Sequence, residues 1–294
     1  MSEKHKKLIT LLLAAVFAVS TVMFLIRLFD SAEGADSYKA AEQIAAKPKE
    51  SQSQKKEQPT DPMPEEMLPT EPAPTEPPMV WIPAPMEEDE YMKQLQDINL
   101  EALRETNPDV VGWVFMPNCK LNYPIVQGDD NQYYLNRTWD NRKSVTGAIF
   151  MEATNSPDFS DFRTILYGHN MADFSMFGSL YRFDRESTWK RWPYVYLVTD
   201  EGVFRYEVYS CYRADVESNT YILDLEDEKL RQGFINLTKE EAIFETGITP
   251  AVTDRLLTLS TCAGGEKTRR VVHARLPMIQ VEMKTDSPQA ENLQ

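Results

Sequence analysis

The chain has 294 residues and carries 46 acidic against 31 basic side chains, a formal charge of -15. That length suits one large or two small domains, and the acidic balance excludes nucleic acid, whose counterions only a basic surface displaces. Three widely spaced cysteines, Cys119, Cys211 and Cys262, signal neither a disulfide framework nor a zinc site, and the scattered acids form no calcium loop, so no cofactor or metal is indicated.

Lys4, Lys6 and Lys7 precede an uncharged, mostly apolar run from Leu8 to Ile26. As a helix this run spans about 28 Å, close to a bilayer's hydrocarbon core and longer than the apolar region of a signal peptide. The expectation is residues 1–7 in the cytoplasm, a single membrane anchor over 8–29, and everything later outside the cell. Residues 30–85 turn polar and then proline-rich, ending in PTDPMPEEMLPTEPAPTEPP. Such composition cannot offset its ordering entropy, so it is expected as a disordered tether that holds a domain away from the membrane.

Order is expected over 86–284, with 285–294 as a tail. Tyr91, Leu95, Ile98 and Ala102 fall near helical spacing and predict one helix that ends at Asn107 and Pro108. VVGWVFM, KLNYPIVQ, GAIFMEA and RTILYG then read as strands, and YVYLVTDEGVFRYEVYSCY as a hairpin turning at DEG. Helical stretches follow around DLEDEKLRQGFINL and TKEEAIFETG, before a last strand pair in RLLTLSTCAGGEKTRRVVHARL. Seven or eight strands with few helices predict a mainly β domain, a barrel or a sandwich.

Cys262 ends the first strand of that last pair, and Arg269 and Arg270 open the second. A thiol faced by a guanidinium suits acyl transfer. A neighbouring cation raises the thiolate fraction, and arginine, charged at any accessible pH, can hold a tetrahedral oxyanion. His169 lies on the loop after TILYG and can exchange the protons. His273 is expected on the strand surface, Cys211 in the core and Cys119 partly buried in a turn. A small buried cysteine beside solvated arginines is the plain alternative.

TLSTC followed by an arginine and VVHA resembles the signature of sortases, the membrane-anchored cysteine transpeptidases of Gram-positive bacteria. NYPIVQGDDNQYYL, GAIFME, TILYGHNM with MFGSL, and NTYI resemble the class B branch, over roughly Met86 to Glu282. The resemblance implies an eight-stranded β-barrel with an N-terminal helix and a helical insertion before the last two strands. It implies Cys262 as nucleophile and His169 as its histidine. Arg269 takes the catalytic arginine position, or Arg270 if the register slips by one. Asn131, Leu135, Tyr167, Tyr221, Ile222 and Ser260 match substrate-groove positions, while Ala263 departs from the polar residue usual after the cysteine.

The implied activity is cleavage of a C-terminal sorting signal through a thioester. The acyl group then passes to an amine of peptidoglycan precursor or of a pilin lysine. Surface proteins or pilins would be the substrates, at the outer face of the cell membrane. Two rivals stand beside this reading: a cysteine protease whose thioester is resolved by water, and a non-catalytic spacer domain on a proline-rich stalk.

Overall fold

The computed structural model describes residues 3–48, 79–262 and 267–282. Eight strands close into a barrel: β2 (Val110–Met116), β3 (Leu121–Val126), β4 (Ile149–Met151), β5 (Arg163–His169), β6 (Tyr194–Thr199), β7 (Gly202–Asp215), β8 (Arg255–Cys262) and β9 (Thr268–Leu276). Their order around the barrel is β2-β3-β4-β5-β8-β9-β7-β6. Closure leaves no edge strand in the barrel to recruit other chains. Alternation along each strand sends one set of side chains inward. Val114, Ile125, Ile149, Leu166, Leu197, Leu257, Leu259 and Val272 fill the interior with almost no exposure.

Two further strands, β1 (Met79–Pro83) and β10 (Met278–Glu282), pair with each other outside the barrel. The stretch expected as linker therefore contributes a strand, with Met79 opposite Glu282. Residues 49–78 and the tail after 282 lie outside the described residues.

The linker expectation needs a second correction at its start. Helix α1 (Glu3–Ala45) runs on well past residue 29 and docks on the barrel. Ser37, Tyr38, Ala41 and Ala45 are buried, a one-sided stripe at helical spacing whose small residues hide its amphipathic character. Trp139 Nε1 donates to the Ser37 carbonyl at 3.0 Å, Ser37 Oγ donates to Asp140 at 2.7 Å, and Asn99 N donates to the Ala45 carbonyl at 2.9 Å. The distance from this helix to the barrel is set by these contacts and not by the proline-rich stretch. The apolar part of the same helix, from Ile9 to Ile26, is exposed, and α1 is long and apolar enough to cross a membrane.

The single helix expected after Met86 is two short ones, α2 (Glu90–Leu95) and α3 (Leu100–Arg104). Asp89 caps the first through Met92 N at 2.9 Å, and Asn99 caps the second through Ala102 N at 3.0 Å. An asparagine that caps a new helix ends the old one. After a 3₁₀ turn (Gly178–Asp184) comes α4 (Glu186–Arg191), and α5 (Glu228–Glu240) is the helical insertion before the last two barrel strands. The second helical stretch expected there forms no helix of its own, and only Thr238, Lys239 and Glu240 of it are helical, as the end of α5. Its backbone turns instead to β7, with Ile243 N donating to the Cys211 carbonyl at 3.0 Å and Thr246 Oγ1 to the Tyr209 carbonyl at 2.9 Å.

Candidate active site on the outer wall of the barrel

His169, Cys262, Arg269, Tyr167 and Ser260 belong to β5, β8 and β9, and Asn131, Leu135, Tyr221 and Ile222 to the turns beside them. These strands run side by side, β5 parallel to β8 and β8 antiparallel to β9. The parallel register pairs Arg163 with Leu256, Tyr167 with Ser260, and His169 with Cys262, the last residue of each strand. Adjacent strands lie about 4.8 Å apart, so the backbones of paired residues run side by side. On the other side Ser260 pairs with Val271. That is the last pair between β8 and β9; counted two residues beyond it, the same antiparallel register would bring position 269 opposite position 262.

Arg270 is one residue out of that register, and its guanidinium is committed elsewhere. Nε and Nη2 donate to the two oxygens of Asp184, at the end of the 3₁₀ turn, at 2.8 and 2.7 Å. Burial works against the charged form of Asp184, yet Arg270 and Arg213 beside it hold the carboxyl below its usual range. Arg270 N also donates to Thr261 Oγ1 at 3.0 Å. Ala263 and the loop to residue 266 lie outside the described residues.

His169 is half buried, and its Nε2 lies 2.6 Å from the Leu135 carbonyl. A carbonyl oxygen only accepts, so Nε2 carries the proton and Nδ1 is the atom left for exchange. The Leu135 carbonyl comes from a 3₁₀ turn (Tyr133–Asn136), steadied by Ala148 N on the Tyr134 carbonyl at 3.0 Å. Beside them runs Gly147, at φ +58°. A Cβ there would stand 2.7 Å from His169 Cδ2 and 2.6 Å from the Leu135 oxygen. Only glycine fits between the ring and the turn. Sequence reasoning missed Gly147; its one signal is a glycine just before a short apolar strand.

Asn131 and Tyr167 meet on a residue that sequence reasoning also missed. Glu152, almost fully buried, accepts from Asn131 Nδ2 at 2.7 Å and from the Tyr167 hydroxyl at 2.9 Å. Asn131 Oδ1 in turn accepts from Ala153 N at 2.9 Å. Burial and then the Glu152 charge push the Tyr167 hydroxyl well up, so it stays protonated as a donor. Tyr221 and Ser260 form a separate pair, with hydroxyls 2.9 Å apart. Ile222 is exposed, and its carbonyl, like that of Thr220, accepts from Arg163.

Arg163 is buried in β5, and burial pulls its guanidinium down to about 10. It lies 4.5 Å over the Phe234 ring of α5 and so ties the strand to the loop carrying Tyr221 and to the helix that roofs it. His273, expected on the surface, is fully buried under the same roof. It stacks on Tyr212 at 5.3 Å, meets Phe234 edge-on at 5.8 Å, and bonds Thr258 through Nδ1 at 3.0 Å. Burial and then Arg163 push it down to about 3. Cys119 is fully and not partly buried, and Cys211 lies in the core as expected. Burial pushes both thiols up to about 12.

An eight-stranded closed barrel with a cysteine and a histidine at the ends of adjacent parallel strands defines a thiol enzyme frame. Residues 114–277 match the sortase domain family model. The chain is 33% identical over 174 residues to sortase B of Staphylococcus aureus and 31% identical over 183 residues to sortase B of Listeria monocytogenes. These matches cover 58% and 60% of this chain and 71% and 73% of those proteins. Among solved structures, the S. aureus sortase B–substrate complex superposes with a TM-score of 0.58 at 31% identity, covering 62% of this chain and 85% of that one. Sortase B from Bacillus anthracis gives a TM-score of 0.63 at 29% identity, covering 85% and 98%. The chain belongs to the sortase family. Its relatives place it in class B, and with that membership it is a cysteine transpeptidase.

Proposed function

We propose that this chain cleaves a C-terminal sorting signal after a threonine and transfers the new acyl group to an amine. The carrying observation is the register that aligns His169 and Cys262 at the ends of β5 and β8. In this reading the Cys262 thiolate attacks the scissile carbonyl, and the C–N bond breaks as His169 Nδ1 protonates the departing amine. A thioester remains. The acceptor amine, deprotonated by the same nitrogen, attacks the thioester carbonyl, and the thiolate leaves as a new amide forms.

Arg269 stabilises the oxyanion of both tetrahedral intermediates. The commitment of Arg270 to Asp184 favours it over Arg270, and so does the β8–β9 register when it is continued past its last pair, Ser260 with Val271. Tyr221, Ile222, Ser260, Leu135, Asn131 and Tyr167 line the groove for the sorting motif, with Asn131 and Tyr167 held by Glu152. The acceptor is an amine of peptidoglycan precursor or a pilin lysine, and the substrates are surface proteins or pilins. The apolar part of α1 anchors the enzyme in the membrane, with residues 1–7 in the cytoplasm and the barrel outside.

The test is cleavage of a peptide library carrying candidate sorting motifs. Wild type should cleave a defined subset, and added amine should divert product from acid to amide. Cys262→Ala and His169→Ala should cleave none. Turnover by Cys262→Ala removes the reading, and products unaffected by amine turn it into hydrolysis.

A further inference from the structure

The docked half of α1 reaches Gly147, beside the candidate histidine, through Tyr38. Tyr38 is buried, and its hydroxyl donates to the Gly147 carbonyl at 2.6 Å. Gly147 is the residue wedged against the His169 ring and the Leu135 carbonyl. The Tyr38 ring also meets Tyr123 edge-on, with centroids 5.0 Å apart. The Tyr123 hydroxyl accepts from Met176 N at 3.1 Å, within the loop that follows His169. That loop returns to its start, with Asn170 bridged to Met176 and Phe177 N donating to the His169 carbonyl at 3.0 Å. The Gly147 carbonyl beside the imidazole and the loop behind it therefore meet at one tyrosine pair, half of which belongs to α1. Asp30 of α1 holds the residues before Gly147, its carboxylate accepting from Val145 N at 3.1 Å and its carbonyl from Ser144 Oγ at 3.3 Å.

We propose that Tyr38 is a positioning residue for His169, which makes α1 part of the frame of the active site as well as its candidate anchor. The inference rests on the reading of His169 as the proton-transfer residue. The Tyr38 hydroxyl holds the Gly147 carbonyl, and with it the backbone that confines the ring against Leu135. Without that bond the Gly147 carbonyl loses its side-chain partner and only Gly147 N, on the Ser144 carbonyl at 3.3 Å, still ties the residue, so the ring gains room to turn away from the Leu135 carbonyl. Burial keeps the phenol protonated, so the hydroxyl stays a donor across the working pH range.

Docking of α1 does not depend on this hydroxyl. Ser37 with Asp140 and Trp139, Glu42 with Asn122 at 2.8 Å, and the Ala45 carbonyl with Asn99 hold the helix independently. Tyr38→Phe therefore removes one hydrogen bond and leaves both the ring contact and the helix in place.

The experiment uses the full chain in detergent micelles with iodoacetamide as the probe, because alkylation needs no knowledge of the sorting motif. Cys119 and Cys211 are buried, with thiols pushed up to about 12, so the reaction near neutral pH reports Cys262, and peptide mass mapping checks the site. The rate is followed against pH for wild type, Tyr38→Phe, Tyr123→Phe and His169→Ala. Loss of a neighbouring imidazolium raises a thiol's apparent pKa. His169→Ala should move the profile to higher pH. Tyr38→Phe should move it part of the way, Tyr123→Phe should move it in the same direction, and neither should shift the melting temperature by more than a few degrees.

If the His169→Ala profile moves and both tyrosine variants superimpose on wild type, the positioning role is wrong and the functional reading stands. If His169→Ala itself leaves the profile unchanged, the functional reading fails first. A Tyr38→Phe chain that does not fold also overturns the proposal, since the hydroxyl would then be structural.

Discussion

Replacing Gly147 by alanine separates backbone strain from displacement of the candidate histidine. The residue sits at φ +58°, where a side chain costs about 1–2 kcal/mol. For a domain of this size that corresponds to a melting temperature lower by roughly 2–8 °C. The new methyl would also stand 2.7 Å from His169 Cδ2, and ordinary contact begins near 3.4 Å, so the ring must retreat by about 0.7 Å. Misplacing a reacting group by about 1 Å can cost a hundredfold, so kcat/KM should fall by some tens to a hundredfold. Gly247→Ala is the matched control, because Gly247 has φ +75° and nothing within 4 Å of its would-be Cβ. It should lose similar stability and no activity. The assay is cleavage of a fluorogenic peptide chosen from the library, with melting curves for all three proteins. A folded Gly147→Ala enzyme within threefold of wild type would refute the idea that this glycine confines the imidazole.

Three further outcomes follow from the same contacts. Arg269→Ala should lower kcat by about a hundred- to a thousandfold with little change in stability, as for loss of an oxyanion donor. Arg270→Ala should mainly destabilise the protein by freeing Asp184, and equal mild losses in both would show the oxyanion partner misassigned. Arg163→Met should raise KM severalfold and leave kcat nearly unchanged, since it loosens the loop of Tyr221 and Ile222 and not the residues at the strand ends. A fall in kcat with KM constant would contradict that division. His273 has its pKa lowered from 6.5 to about 3, so the unfolded chain binds a proton that the folded one refuses. Its contribution to stability is fully present above about pH 6.5 and is lost as pH falls towards 3. Urea midpoints measured over that range should therefore decline less steeply in a folded His273→Gln variant.

What the sequence revealed depended on how local the cause was. The strands of the barrel were legible because alternating or continuous β-branched runs such as RTILYG and RLLTLSTC state their own period. Cys262 was read at the end of such a strand, which is where β8 ends, whereas His169 was read on the loop after TILYG and is instead the last residue of β5. The docked half of α1 was not, because Ala41 and Ala45 are too small to mark an apolar face, and Tyr38 shows its role only against the barrel. Pro83 and its neighbours read as linker, yet β10 supplies them a partner from the far end of the chain. Glu152 and Arg163 were invisible for another reason. A buried charge is satisfied by groups distant in sequence, here Asn131 and Tyr167 for one and the Thr220 and Ile222 carbonyls for the other. The burial of His273 likewise depends on the α5 roof, which no pattern within VVHARL announces.

Catalysis by Cys262 requires a thioester between its sulfur and the acyl half of a sorting peptide. Mixing the full chain with a cleavable peptide, quenching in acid and measuring the intact mass tests it most directly. The expected result is an adduct equal to the acyl fragment, mapped to the Cys262 peptide, removed by hydroxylamine and absent in Cys262→Ala. Cleavage that proceeds with no adduct at any time, or with the adduct on another residue, would contradict it.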